Sequence, residues 1–168
     1  MLNRILPLFF FACLGLFFTA CDAEVDNAAE GAMNELGNDA EAMAVKAQDA
    51  TYAGMMKVHD AVMPQMGKMN ALKRDIEAKM SDNSLSAATK NAGRELAAKL
   101  DGADEKMKAW MADTKTLDEM RAAGMSSAEI DAALAERKRE MDAIAADMRN
   151  TMREAQNYME SLTEVTGS

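Results

Sequence analysis

Val45, Tyr52, Met55, His59, Val62, Met66, Met69, Ile76 and Met80 recur at alternating steps of three and four, with Gln48 and Lys73 as the polar members of the row. This is the period of a helix facing partner helices. It predicts a first helix over about 38–80, opened by Asn38 as cap with Glu41 three residues on. Pro64 lies inside the row, removes one helical hydrogen bond and strains Met63 before it. Because the phase holds across Pro64 and Gly67, one kinked helix is expected rather than two.

Ser81-Asp82-Asn83-Ser84 reads as a turn. A second helix should open at Ser84 or Ser86 and run to Asp113, with the row Leu96, Leu100, Ala103, Met107, Trp110 and Leu117, widened by Met111. Between Thr114 and Met125 the chain has room for one helical turn around Leu117–Arg121, stopped at Gly124. Ser126-Ser127-Ala128-Glu129 has the residue types and spacing of a capping box. It opens a third helix over 126–163, with the row Ile130, Leu134, Met141, Ile144, Met148, Ala155, Tyr158 and Leu162; Met152 and Met159 flank it, and Arg137 and Thr151 take seam positions. The expected fold is all-α, an antiparallel three-helix bundle over 38–165 whose first and third helices are long. An extended helical hairpin paired with a second copy is the alternative.

Ahead of the bundle lie two segments of different character. Arg4, the apolar stretch Ile5–Phe18 and Phe18-Thr19-Ala20-Cys21 make residues 1–20 a secretory leader. The last four residues resemble a lipobox, in which the cysteine is acylated, palmitate included, and becomes the first mature residue. Residues 21–37 then form an acidic tether, interrupted by Gly31 and Gly37 and without a basic residue before Lys46. Such a segment has too little apolar surface to offset its ordering entropy.

Composition narrows the chemistry. All five Phe (9, 10, 11, 17 and 18) fall in the leader, so the core draws on Met, Leu, Ile, Val and Ala with Trp110, Tyr52 and Tyr158. A net charge of −9 argues against nucleic acid, whose phosphates call for Lys and Arg. Cys13 would leave with the leader, so no disulfide or thiolate site remains beyond Cys21. With a single His and no free thiol, few nucleophile–base combinations remain, and no enzyme is expected.

The densest constellation runs Met55-Met56-Lys57-Val58-His59-Asp60-Ala61-Val62-Met63-Pro64-Gln65-Met66. On a helix it sets an imidazole among the thioethers of Met55, Met56, Met63 and Met66, a donor set suited to Cu(I) or Ag(I). The same Met residues also read as core, because Met fills irregular gaps near a bent helix. His59 would then be a hydrogen-bonded core residue, satisfied by a carboxylate of the second or third helix. Tyr52, Pro64, Met107, Trp110 and Met111 mark a structural neighbourhood or partner groove.

Val58–Gly67 with Leu72-Lys73, and Ala103–Met111, resemble segments of a family of small Gram-negative lipoproteins often labelled "viral A-type inclusion protein". The resemblance implies that His59, Pro64, Met66, Trp110 and Met111 share one neighbourhood, with the first two helices antiparallel. The expectation is an envelope lipoprotein, anchored to the inner or outer membrane through acylated Cys21 and facing the periplasm or the surface. It would work as a non-catalytic interaction or scaffold module for an envelope protein or for itself, with a periplasmic Cu(I)/Ag(I) buffer as the alternative.

Overall fold

The computed structural model describes the backbone of residues 24–166 and the side chains of 37–163. Four helices follow one another: α1 (Glu24–Met80), α2 (Ala87–Asp113), α3 (Leu117–Ala122) and α4 (Ser127–Thr166). No helix among the described residues is long and apolar enough to cross a membrane. The chain divides into two units at Asp39/Ala40. The second contains every side-chain contact discussed below. The leader at 1–20 and Cys21 lie outside the described residues.

The helices are all-α elements packed together around one main cluster of side chains. From α1 come Met55, Val62, Met69 and Ile76; from α2, Leu100, Ala103, Met107 and Trp110; from α4, Met141, Ala145, Met148, Met152 and Ala155. The heptad spacing of the α1 set places one core residue every two turns. A second cluster of Leu117, Met120, Ile130 and Leu134 joins α3 to the start of α4, and Tyr52 packs against both clusters.

Polar contacts fix the helix directions. Along α1 and α2 the partners run in opposite order, His59 against Trp110 and Lys73 against Asp101. Along α2 and α4 they do so again: Thr89 with Tyr158, Lys99 with Glu154, Lys106 with Asp147 and Trp110 with Arg137. The start of α4 meets α1 at Gln48, which is 2% exposed and donates from Nε2 to Ser127 Oγ at 2.9 Å and Asp131 Oδ1 at 3.1 Å.

Local chemistry sets the helix ends. Ser86 caps α2 by accepting from the Thr89 N–H at 3.1 Å. At α3, Thr116 and Glu119 satisfy each other's backbone donors in a capping box that the sequence reading did not single out. Its far end closes as a Schellman turn: Gly124 takes φ +73°, its N–H bonds Arg121 O, and the Met125 N–H bonds Met120 O. Ser126 and Glu129 make the expected reciprocal pair ahead of α4, at 2.8 Å and 3.4 Å.

Two expectations need correcting. The first helix does not begin at Asn38, because helical backbone extends back to Glu24 through the segment expected to be an irregular tether. Ala, Glu, Met and Leu are strong helix formers and no proline interrupts them; Gly31 and Gly37 each cost only about 1 kcal/mol relative to Ala. Val45, placed in the buried row, is exposed at 38%. It precedes Gln48, the position at which α1 meets the start of α4. Pro64 sits within α1 on the solvent side, where its ring displaces no core side chain.

Candidate functional site

His59 projects from α1 toward α2 and stacks on Trp110, ring centroids 5.6 Å apart and planes 28° from parallel. Trp110 is 4% exposed and donates from Nε1 to the Arg137 carbonyl at 3.0 Å, so the indole is pinned between α2 and α4. That fixed plane defines where the imidazole lies. The outer ring nitrogen, Nδ1, is 2.9 Å from Asp60 Oδ1 on the same helix, not from a carboxylate of another helix as expected. Asp60 is the adjacent residue on the exposed flank of α1, nearer than any acid across the seam.

A carboxylate accepts and cannot donate, so Nδ1 carries the proton in this bond. In the neutral ring Nε2 then presents a lone pair. It is buried and has no hydrogen-bond partner. A buried polar atom left unpaired costs about 1–3 kcal/mol, and most native folds avoid it. The α1 segment that carries this nitrogen is rich in sulfur-bearing side chains. Met55 is completely buried in the main cluster, while Met56, Met63 and Met66 of α1 and Met111 of α2 are half-buried against it. Met56 stands three residues before His59 and Met63 four after, both positions next to it on the helix surface.

The residues marked as a neighbourhood or groove separate by burial. Met107 and Trp110 lie inside the core, Tyr52 and Met111 pack half-buried on it, and Pro64 faces solvent. Met107 fills the interior, whereas Trp110, although 4% exposed, also lines an open cavity of about 340 Å³ with Lys106, Arg137, Glu140 and Ile144. Among the described residues no three His, Cys, Asp or Glu side chains gather to hold a metal.

The sequence reading missed two acids near this seam. Asp60 could have been found from its adjacency to the sole His. Asp104 carries no such signal: it is 6% exposed, pairs through Oδ2 with Lys108 at 2.5 Å and leaves Oδ1 buried without a partner. Further along the seam Lys73, a polar exception in its row, meets both oxygens of Asp101 at 2.7 and 2.6 Å, and that bond raises the Lys73 pKa above its ordinary value. A cavity of about 180 Å³ opens elsewhere, under the α2–α3 connection, between Met55, Met120, Met125 and Leu134. No family model, curated protein or solved structure matches the chain.

Proposed function

We propose that the protein is a lipid-anchored module of the bacterial cell envelope that works by docking rather than by catalysis. Acylated Cys21 would hold it to the inner or outer membrane, and several acyl chains on one residue give lasting attachment where one chain does not. The helical part would face the periplasm or the surface as an antiparallel three-helix bundle of α1, α2 and α4, with α1 bent at Pro64. Its acidic balance makes an envelope protein or a second copy, not nucleic acid, the partner class.

The observation that carries the docking role is the first part of α1 within the compact unit. Between Ala40 and Ala47 only Ala44 is half-buried, and Met43 and Val45 stand 67% and 38% exposed. Short helices without tertiary packing are marginal in water. An uncovered helical stretch bearing two apolar side chains fits a surface completed by a partner.

Two measurements test the reading. A photo-crosslinking side chain at Met43 should give one discrete adduct in intact cells, whereas the same group at exposed Lys115 gives none; equal or absent adducts at both positions overturn docking at this surface. Cys21→Ser should move the protein from the membrane to the soluble fraction, and unchanged fractionation overturns the anchor.

A further inference from the structure

We infer that His59 Nε2, with the thioethers of Met56 and Met63, forms a binding site for one soft monovalent cation, Cu(I) or Ag(I). The inference goes beyond the docking role and stands independently of the anchor. Its starting point is the nitrogen. Nε2 is buried and without a partner, while Nδ1 is held by Asp60 at 2.9 Å. That is the arrangement by which a carboxylate orients a metal-binding imidazole, fixing the proton on one nitrogen and the lone pair on the other.

The surroundings select the cation. No His, Cys, Asp or Glu triad exists among the described residues, so a cation needing hard or thiolate donors finds no ligand set here. Thioethers are soft donors and imidazole is compatible with copper. Met56 and Met63 flank His59 by one turn on either side of α1, and both are half-buried rather than sealed, so their terminal methyl groups can turn to present sulfur. Trp110 completes the wall. Stacked on the imidazole and fixed through its N–H to the Arg137 carbonyl, it keeps the ring from swinging away and excludes water from that side.

Trp110 is also the sole Trp of the chain, which makes its fluorescence a reporter of this site. Ag(I), which avoids copper's redox chemistry, is titrated as the nitrate in halide-free buffer into the full chain carrying Cys13→Ser and Cys21→Ser, which removes competing thiols. Trp110 emission should fall and saturate at one equivalent, with the His59 Nε2 nitrogen resonance shifting in step. Met56→Leu combined with Met63→Leu preserves apolar volume, so the fold remains while affinity drops at least tenfold. Met159→Leu, at a half-buried Met near the far end of α4, should leave affinity unchanged. His59→Gln should abolish saturation, and because that change also disturbs the stack, the paired Leu variant decides. A response that never saturates, an unmoved Nε2 resonance, or wild-type affinity in the paired Leu variant overturns the site.

Discussion

Gly93 and Gly102 lie in the same helix, yet adding one methyl group to each should move stability in opposite directions. In a helix interior Ala is favoured over Gly by about 1 kcal/mol, and the two replacements constrain the unfolded chain alike. At Gly102 a Cβ meets no heavy atom within 4 Å, so the gain is kept. At Gly93 the Cβ would lie 2.6 Å from the Tyr158 hydroxyl and 2.7 Å from Met80 Sδ. The thioether is the flexible end of its side chain and can swing aside. The hydroxyl cannot move as cheaply, because it donates to the Thr89 carbonyl at 2.9 Å and ties α4 to the first turn of α2. Overpacking costs about 1–3 kcal/mol, so after the propensity gain Gly93→Ala should lose about 0–2 kcal/mol while Gly102→Ala gains about 0.5–1. For a chain of this length each kcal/mol is worth about 2–4 °C of melting temperature, within reach of circular dichroism or urea titration. Tyr158→Phe removes the obstructing oxygen, so in the Gly93→Ala background it should cost less than in the native chain. If both glycine variants are equally stabilised, and Tyr158→Phe shows no coupling, α4 does not approach α2 this closely and the packing argued here is wrong.

The capping carboxylates predict the acid limb of stability: hydrogen bonds from Thr116 and Ser126 lower the pKa values of Glu119 and Glu129, so their contribution is present above the unfolded value of about 4.3 and lost as pH falls through the lowered folded values. Glu119→Gln with Glu129→Gln should flatten that limb in urea titrations between pH 5 and pH 2, and an unchanged slope refutes the assignment. At the alkaline end the raised Tyr158 and Lys73 values give stability that is intact below about pH 10 and lost as pH rises through the folded values. His59→Phe retains an aromatic face for Trp110 and eliminates the orphaned Nε2, so it should stabilise the fold by about 1 kcal/mol while abolishing Ag(I) saturation; a destabilised variant would mean that Nε2 is satisfied in solution.

The helical elements were legible because their signals are local. The row through Met55, Val62, Met69 and Ile76 needed only periodicity, and Ser86, Gly124 and Ser126 needed only the chemistry of helix ends. What escaped depends on facts that periodicity lacks. Val45 and Gln48 occupy the same row, yet the apolar residue is exposed and the amide is buried, because α4 begins at the level of Gln48 and offers it Ser127 and Asp131. Nothing near residue 45 encodes where a neighbour eighty residues away will start. The helical backbone from Glu24 was missed for a related reason: acidity and glycine argue for a loosely ordered strand of chain, while propensity argues for helix, and propensity prevailed.

The methionines carry both readings of the site at once, so their burial cannot decide between them. A thioether is a weak acceptor that packs in a core without a hydrogen bond at little cost, which lets Met55 and Met107 fill the interior. Imidazole has no such latitude. Its buried lone pair is a standing penalty unless something binds it, and here the nearest carboxylate is engaged at the other nitrogen. The informative atom in this protein is therefore a nitrogen rather than any of the 17 Met sulfurs. A protein under selection for packing alone would gain by placing an apolar aromatic ring at position 59, since Trp110 would stack on it equally well. Retaining an imidazole there, oriented by Asp60 and stacked on Trp110, costs stability that binding of a soft cation would repay.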